Sequence, residues 1–392
     1  MIKTHKIKLC PNHTMLLVLN QLFDYRRYCY NQALVVWQDM YDEAKIADDN
    51  SLLPNEHKVR DELVQNKQDW KFGLSARVLQ LAVKDLSKAW QNFFNPQMTN
   101  HKQPKFKSKK RSRKTFTTDR ARIVGCKLRL DKPCDYVGPW YDIRMVEVPR
   151  WEGVLKQTTV VMDADGIYAS FAFEVVDDPE PVPAAKSVTA VDANVGRLTF
   201  KTSEGFATQG TLPTSLLMHY QRITRYKREL ARKRVTNPHH FRSNNYRTTK
   251  TKLQREYQRV TRIQADLLAK FTHQLIADNS IIAIEDLDNQ HMRMNKHLAK
   301  KLHRSMFGKF KQMMQYKAEW HGVKLVLVDR FYPSTQRCSR CGLVKTGDER
   351  ITLTGNQKHH TGHNEFHCYG CGVQLNRDEN AVDNLIQYAV NQ

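Results

Sequence analysis

The spacing of apolar residues changes along the chain, and each spacing predicts a different kind of secondary structure. Residues 2–9 alternate weakly, which predicts a strand, whereas residues 75–94 place apolar side chains three and four positions apart, which predicts a helix with one buried face. From residue 122 to residue 176 the apolar runs are short and broken by Gly, Pro and Asp, which predicts a small β-barrel or sandwich. The strand at 2–9 completes that barrel if the helical region between them is an insertion. The predicted helix face consists of Ala76, Leu79, Val83, Leu86, Trp90 and Phe93.

The second half of the chain predicts a separate α/β domain, which follows a linker at 177–186 that is rich in Pro and acidic residues. Its elements come in the order strand, strand, strand, helix, strand, helix, strand, helix. That is the order of an RNase H-like fold, in which the first strand, the fourth strand and the last helix converge at one edge of the sheet. The first two strands are predicted, with a turn between them, within 187–200, and the others at 205–210, 279–287 and 324–329. The helical patterns lie at 216–234, 252–277, 302–320 and 378–390, and the first two of them fall between the third and fourth strands.

The composition of the chain indicates what kind of partner it binds. The chain has 392 residues, 40% of them hydrophobic, which is enough for about two or three domains. Its formal charge of +23 favours a polyanionic partner, either nucleic acid or an anionic membrane surface. No run of about 18 apolar residues is present, and the first residues lack the apolar core of a signal peptide. We therefore expect nucleic acid as the partner, no membrane, and a cytoplasmic protein that is nucleoid-associated when bound to DNA.

Two basic segments are the predicted nucleic-acid contacts. In the segment HKQPKFKSKKRSRKTF, Phe106 and Phe116 are interleaved with cations, which suits backbone contacts combined with base stacking. The helical pattern at 216–234 is crowded with Arg and Lys and has few acids to balance them, so a phosphate backbone is the expected counterion. The candidate residues are Lys105, Lys107, Lys109, Lys110, Arg111, Arg225, Arg228 and Arg232.

Four of the eight cysteines have metal-site spacing. They form two CxxC hooks, each followed by Gly, which is the pattern of a zinc ribbon. Four thiolates leave no open position, so the predicted Zn²⁺ is structural; a redox role for the pairs is the alternative. The other four cysteines have no partner spacing and are interpreted as buried small residues. The predicted zinc ligands are Cys338, Cys341, Cys368 and Cys371.

Three carboxylates form the second candidate site. Asp192 lies in the first strand of the RNase H-like order, Glu285 ends the fourth strand, and Asp378 opens the last helix. Carboxylates converging in this way can hold two Mg²⁺ or Mn²⁺ ions about 4 Å apart for phosphodiester hydrolysis. Asp286 and Asp288 compete with Glu285, and Asp286 is expected on the opposite face of its strand. Asp383 competes with Asp378 but lies more than a turn further along the helix. Taken alone, each acid is as compatible with a cap or a surface charge.

The order of these motifs resembles the TnpB family, transposon-encoded proteins related to the type V CRISPR effectors. AVDANVGR, AIEDL, two CxxC hooks and NRDENAVDNL occur in that order, with the ribbon between the last two acids. The N-terminal half agrees more loosely, through a helix with Arg27 and Tyr30-Asn31, the segment AVKDLSKAWQNFF and then PKFKSKK. Asn194-Val195-Gly196 departs from the commoner Gly-Ile variant after the first Asp, and we expect both to be compatible with the family.

The resemblance implies an RNA-guided DNA endonuclease. It implies that one protein binds a guide RNA made from the transposon end, recognises a short motif beside the target, and cuts double-stranded DNA at a single RuvC site. Asp192, Glu285 and Asp378 correspond to the family's catalytic acids, and Arg377 and Asn380 to residues that support them. Base pairing would supply sequence specificity while the protein grips the backbones.

The resemblance also divides the chain into parts. The implied architecture is a RuvC domain with an inserted zinc ribbon, and an N-terminal wedge barrel that carries a helical recognition insertion. The predicted boundaries are 1–9 for the wedge strand, 10–112 for the recognition domain, 113–185 for the wedge barrel, 186–333 and 376–392 for the RuvC domain, and 334–375 for the ribbon.

Three other classes of protein are weighed against this interpretation. A nuclease-dead RNA-guided repressor would lack one or more of the acids, and all three are present. A cut-and-paste transposase on the same fold would place a Glu on a late helix, where this chain has Asp378. A non-enzymatic zinc-ribbon DNA-binding protein leaves the strand acids and the length unexplained.

Overall fold

A computed structural model shows two compact units, Met1–Asp177 and Asp178–Gln392. It describes residues 1–98, 100–131, 142–176, 187–236, 238, 243–287, 304–352, 354–356 and 358–392. The predicted linker at 177–186 and one of the unpaired cysteines, Cys134, lie outside these residues. Within them, no helix is both long and apolar enough to cross a membrane.

A seven-stranded antiparallel sheet forms the base of the first unit, and its strand order is β2-β6-β7-β1-β5-β4-β3. The first strand is central, because β1 pairs with β7 on one side and β5 on the other. Strands β2 and β3 are the two edges of this sheet. Among the described residues they do not pair with each other, so the sheet is open there and the predicted barrel is not closed. The strands are β1 (Ile2–Cys10), β2 (Lys114–Thr118), β3 (Arg122–Val124), β4 (Lys127–Arg129), β5 (Asp142–Met145), β6 (Val154–Asp163) and β7 (Gly166–Glu174).

Three helices lie between β1 and β2 in the chain, so the helical region is inserted into the sheet's sequence. They are α1 (His13–Ile46), α2 (Glu56–Gln65) and α3 (Ala76–Phe94), with short 3₁₀ helices at Asn50–Leu52 and Asp69–Lys71. The α3 face is as predicted in its middle, where Leu79, Val83, Leu86 and Trp90 are buried in one core with α1 and the sheet. Its two ends differ, because Ala76 and Phe93 are exposed.

The second unit contains a five-stranded sheet in the order β10-β9-β8-β11-β12. Strands β8, β11 and β12 are parallel to one another. Strand β9 returns antiparallel to β8, and β10, which is antiparallel to β9, again runs in the direction of β8. This order and these directions are those of an RNase H-like sheet. The strands are β8 (Ser187–Asn194), β9 (Arg197–Thr202), β10 (Gly205–Gly210), β11 (Asn279–Glu285) and β12 (Lys324–Val328).

Helices cover both faces of this sheet. One face, which includes Val191 and Ile284, packs on α5 and α6, and the other, which includes Ala190 and Ala283, packs on α7. Alternation along a strand therefore places Asp192 and Glu285 on the α7 side. The helices are α4 (Thr214–Thr236), α5 (Asn244–Asp278), α6 (Phe307–His321) and α7 (Arg377–Val390).

A small subdomain between β12 and α7 contains the two CxxC hooks. It has a two-stranded sheet, β13 (Glu365–His367) and β14 (Gln374–Asn376), and a 3₁₀ helix at Gly347–Glu349. Its own core includes Ile351 and Phe366 together with two of the hook cysteines. Among the other cysteines, Cys29 is buried as expected, but Cys10 and Cys126 are exposed, so that interpretation was wrong for both. Each lies at or next to a strand end, where one side of the chain faces solvent.

Candidate active site and metal centre

Asp192 and Glu285 are neighbours on adjacent parallel strands. Strand β8 pairs with β11 so that Val191 lies opposite Ile284, and the next position on each strand carries an acid. Neighbouring strands are about 4.8 Å apart, and equal positions in a ladder point to the same face. Asp192 is only 3% exposed, and the register therefore places two acidic side chains side by side under α7.

The third acid arrives from the first turn of α7. Asn376 caps this helix, because its side chain accepts hydrogen bonds from the backbone N–H groups of Asp378 and Glu379 at 2.9 and 3.4 Å. Asp378 is 3% exposed and close enough to Asp192 to perturb it electrostatically. The structure thus brings the three predicted acids together from two strands and a helix.

Burial and mutual repulsion raise the proton affinity of this cluster. Burial, followed by the charges of Glu285 and Asp378, holds the pKa of Asp192 well above its usual value of 3.8. Arg377 and a hydrogen bond from Asn194, 2.6 Å long, oppose this rise. Burial also raises the pKa of Glu285. A 2.7 Å hydrogen bond from the Ser334 hydroxyl lowers that pKa and so reduces the rise.

A cation from the neighbouring hairpin contacts Asp378. The Arg197 guanidinium, at the start of β9, forms an ion pair with Oδ2 of Asp378. Arg377, one of the two predicted supporting residues, lies 3.8 Å from Oδ1 of the same carboxylate, beyond hydrogen-bond distance. Oδ1 is buried and has no hydrogen-bond partner. A buried carboxylate oxygen left in this state is suited to a cation.

Two of the three competing acids have other partners, and the third, Asp288, lies outside the described residues. Asp286 forms an ion pair with Lys311 of α6, on the sheet face opposite to Glu285, as the alternation predicted. Asp383 lies further along α7 and pairs with Lys201 of β9 at 2.8 Å. Neither acid is among the charges that perturb Asp192.

The four hook cysteines form a compact set of sulfur atoms. All four Sγ atoms lie within 4.8 Å of one another, with Cys338–Cys371 at 3.7 Å and Cys341–Cys368 at 3.4 Å. Four sulfurs at about 2.3 Å from a tetrahedral Zn²⁺ are about 3.8 Å apart, so the set fits that ion. Among the described residues the three carboxylates do not form a group this tight, and Asp378 is held by Arg197 instead.

The two hooks have the same backbone geometry. In each, the glycine N–H after the second cysteine donates to the carbonyl of the first, from Gly342 to Cys338 at 2.9 Å and from Gly372 to Cys368 at 3.0 Å. Both glycines have positive φ, 78° and 71°, which explains why Gly follows each hook. The fold therefore presents two matched knuckles to one site.

Helix α7 joins the knuckle to the acidic cluster. Asn380, the second predicted supporting residue, accepts from Ser339 N at 2.9 Å and donates to Arg337 O at 2.7 Å. Asn384 adds bonds to Ser334 O and Arg337 O at 2.8 and 2.7 Å. Asn380 thus binds the knuckle backbone, two residues along α7 from Asp378.

The basic residues of the first unit differ in availability. Lys105, Lys110 and Arg111 are exposed, and Lys109 pairs with Asp24 at 2.8 Å. Lys107 is half-buried, with its ammonium 3.1 Å from the ring centre of Tyr30. Burial, and then repulsion from Arg26, lower the pKa of Lys107 to about 7. The aromatic prediction was wrong for Phe116, which is 1% exposed in the core, while Phe106 is 60% exposed.

The basic residues of the second unit lie on α4. Arg225, Arg228 and Arg232 are exposed. Arg225 and Arg228 line a cleft of about 450 Å³ with Arg304, whose guanidinium stacks 3.9 Å from the ring centre of Tyr220. This cleft is positive and open to solvent.

Sequence reasoning missed Arg197 and Ser334. Arg197 is one residue after the glycine turn that follows AVDAN, and the only available signal was its closeness to Asp192 in the sequence. Ser334 lies four residues before the first knuckle cysteine and carried no spacing signal. Both reach the acids only through pairing of distant segments.

Three family models match separate parts of the chain. They are the OrfB_IS605 "Probable transposase" domain at 170–296, the "Cas12f1-like, TNB domain" at 307–385 and the OrfB_IS605 "Helix-turn-helix domain" at 1–45. The matched regions include the three acids and the four cysteines. Over these regions the chain is similar to the OrfB_IS605 (TnpB) family and to Cas12f1-like proteins. Residues 1–45 form one strand and one long helix, not the two helices of a helix-turn-helix.

Named relatives agree with these domains. A "Putative RNA-guided DNA endonuclease" from Streptomyces pristinaespiralis is 27% identical over 98% of this chain and 88% of its own length. "Putative RNA-guided DNA endonuclease InsQ" from Escherichia coli K12 is 25% identical over 92% and 85%. "CRISPR-associated endodeoxyribonuclease Cas12f1" from Sulfoacidibacillus thermotolerans is 39% identical, over 19% of this chain and 15% of its own.

Solved structures give weaker likenesses. A Cas12f1–sgRNA–target DNA complex matches at a TM-score of 0.35 and 14% identity, over 98% of both chains. CasPhi-2 bound to crRNA and phosphorothioate-DNA matches at 0.44 and 11%, over 100% of this chain and 91% of that one. Because these scores are low, the RNase H-like assignment rests on the strand order and directions.

Proposed function

We propose that the chain is an RNA-guided, metal-dependent DNA endonuclease encoded by a transposon. The observation that carries the proposal is the acidic cluster. Asp192 and Glu285 lie near the carboxyl ends of β8 and β11 in the RNase H-like sheet, and Asp378 lies beside them in the first turn of α7. The named relatives, which are putative RNA-guided DNA endonucleases, support the same activity. The formal charge of +23 supports RNA and DNA as partners.

The proposed mechanism assigns a task to each side chain around the cluster. Asp192, Glu285 and Asp378 would hold the catalytic metal, Mg²⁺ or Mn²⁺, because hard cations prefer carboxylate oxygens. Two such ions, when bound, supply activation of a water and stabilisation of the leaving oxygen. Asn194 and Ser334 orient the carboxylates of Asp192 and Glu285 through their hydrogen bonds. Arg197 holds Asp378 until a metal competes for that carboxylate.

The zinc ribbon is proposed as a structural Zn²⁺ site held by Cys338, Cys341, Cys368 and Cys371. All four positions of a tetrahedral ion are filled, so no site remains for substrate. Because α7 binds the knuckle through Asn380 and Asn384, an ordered ribbon would also steady the helix that carries Asp378.

We propose that the N-terminal sheet and its inserted helices are the wedge and recognition parts, with the boundaries predicted above. One protein would bind one guide RNA and a double-stranded DNA target. The exposed cations Lys105, Lys110, Arg111, Arg225, Arg228 and Arg232 would contact phosphates, and a nucleoid-associated cytoplasmic location stays a prediction. Lys107 and Lys109 are weaker candidates, because Tyr30 and Asp24 already engage them.

The test is cleavage by the purified ribonucleoprotein. The chain is co-expressed with candidate guide RNAs from its flanking DNA, and the complex is offered a plasmid library with a randomised segment beside the target. We expect cleavage that requires both RNA and Mg²⁺ and is lost in Asp192→Ala. Asp383→Asn is the control, since it removes an acid that shares α7 with Asp378 but lies outside the cluster, and it should retain cleavage.

Other outcomes would change the proposal in specific ways. Guide-directed binding without cutting would favour a nuclease-dead repressor. Protein that purifies without RNA and cuts nothing would contradict RNA guidance. Equal loss of cleavage in Asp192→Ala and Asp383→Asn would show that the acidic cluster has no special role.

A further inference from the structure

An aromatic and cationic pocket in the first unit is not explained by the acidic cluster or the ribbon. It has a volume of about 620 Å³, within the range of pockets that hold one small ligand. Two segments build most of it: the N-terminal half of α1 and the loop that contains the 3₁₀ helix Asp69–Lys71. The lining residues are Val18, Gln21, Asp24, Tyr25, Arg27, Tyr28, Trp70, Gly73, Leu74 and Lys109.

Three aromatic rings make the pocket wall. Trp70 packs on Tyr28 and Tyr25 at ring-centre distances of 5.4 and 6.1 Å and at steep angles of 66° and 75°. Although it is held by both tyrosines, Trp70 is 54% exposed. An indole fixed in place but left half open to solvent offers a planar apolar surface to a second planar group.

Positive charge surrounds the rings. The ammonium of Lys71 lies 5.0 Å from the ring centre of Tyr28 and 5.8 Å from that of Trp70. Lys109 is on the rim, where it pairs with Asp24 at 2.8 Å. Arg27 has a buried Nε–H without a hydrogen-bond partner, and its nearest carboxylate, that of Asp24, is 3.8 Å away. The pocket therefore combines stacking surface, excess cation and an unused donor.

We propose that this pocket binds one unstacked nucleobase together with its phosphate. The base would stack on Trp70, and Arg27 would contact the phosphate or the base edge, whereas Lys109 would stay paired with Asp24 at the rim. A neutral apolar ligand would leave the cations unsatisfied, whereas a nucleotide matches both the rings and the charge. The inference rests on nucleic acid being the partner, but not on DNA cleavage. Single-stranded RNA and single-stranded DNA share this chemistry.

Photo-crosslinking tests the position of the base. The full chain, without divalent cations, is mixed with oligonucleotides of about 12 residues that contain 5-iodouracil, one series in RNA and one in DNA. After irradiation, the crosslinked residues are mapped by mass spectrometry. We expect crosslinks on Trp70 or Tyr28, and the series that gives them identifies the source of the base. Crosslinks found only outside the pocket, in both series, would overturn the proposal.

Affinity supplies the second readout, at about 0.3 M salt so that backbone contacts elsewhere are weakened. Trp70→Ala should weaken binding of the crosslinking series roughly five- to hundredfold, the range expected for one lost base stack. Trp70→Tyr should restore most of it. Phe94→Ala, which removes another exposed aromatic of the same unit, is the matched control and should have no effect.

Failure of the pocket and failure of the proposed function give different results. A chain that cuts DNA under guidance but shows no pocket crosslink, and whose Trp70→Ala variant binds both series within about twofold of the parent, overturns the pocket alone. A chain that crosslinks through Trp70 but never cuts retains the pocket and loses the nuclease. Melting curves of Trp70→Ala and Trp70→Tyr separate a lost stack from a lost fold. If both variants melt at the temperature of the parent and only Trp70→Tyr binds like the parent, the weaker binding of Trp70→Ala comes from the lost stack.

Discussion

Asp192 combines burial with two neighbouring carboxylates, and this combination determines how the ligand-free site responds to pH. Its folded-state pKa lies above the usual 3.8, so the folded chain retains a proton that the unfolded chain releases. The stabilisation from this group is therefore present at low pH and is lost as pH rises from about 3.8 through the raised pKa. At neutral pH without metal, the cluster works against folding.

Asp192→Asn should therefore stabilise the metal-free chain while abolishing cleavage. The amide removes a buried charge and can still accept from Asn194. We expect a gain of at least about 1 kcal/mol at pH 8, or a melting temperature about 2–4 °C higher, and a smaller gain at pH 5. Calorimetry at both pH values measures it, with Asp383→Asn as the control. A larger gain at pH 5 than at pH 8 would contradict the assigned cause.

Arg197 makes a second prediction at the same scale. Because its guanidinium pairs with Asp378, a metal must compete with it for that carboxylate. Arg197→Gln should lower the melting temperature without divalent cations, since it leaves a buried carboxylate unpaired, and should enlarge the rise in melting temperature that Mg²⁺ produces. Thermal shift during a Mg²⁺ titration checks both. An unchanged Mg²⁺ response would show that the ion pair and the metal do not compete.

At the scale of secondary-structure elements, some site residues could be predicted from the sequence and others could not. Asp192 and Glu285 follow from strands whose apolar pattern is local, so their neighbourhood could be predicted from the order of elements. Arg197 could not, because its partner is 181 residues away and reaches it only when α7 docks on the sheet. Phe116 was misjudged because the charges around it hide a strand: β2 begins at Lys114, and Phe116 occupies its inward position.

Helix α7 also connects two parts that the sequence presents as separate. Asn380 is itself buried and binds an N–H and a carbonyl of the first knuckle, so Asn380→Ala should cost about 1–3 kcal/mol of unfolding free energy. Gln387→Ala is the matched control, because Gln387 makes a similar bond to Ser339 O at 2.7 Å from an exposed position and should cost less than about 0.5 kcal/mol. Denaturant titrations with zinc present measure both. Equal costs would contradict the buried-clamp explanation.

At the scale of the whole molecule, the net charge predicts steep salt dependence of nucleic-acid binding. Each phosphate contact contributes about −0.9 to the slope of log K against log salt for duplex DNA and about −0.7 for single strands. Lys110→Gln should therefore reduce the magnitude of the slope by about 0.7–0.9, because Lys110 is exposed. Lys107→Gln should leave the slope unchanged and lower stability, because Tyr30 holds that ammonium. Fluorescence anisotropy across a salt series distinguishes them, and equal slope changes would contradict this division.

The central place of β1 in its sheet also bears on how the molecule folds during synthesis. Ile2 pairs with Glu174, so the strand made first must wait for one of the last strands of its unit. Contacts this distant in sequence form slowly, whereas α1, α2 and α3 can form from local contacts while the chain is still growing. During that interval the inward side chains Ile7 and Leu9 lack the neighbouring strands that complete their core. The nascent chain therefore carries an unpaired strand edge that a ribosome-associated chaperone is suited to shield.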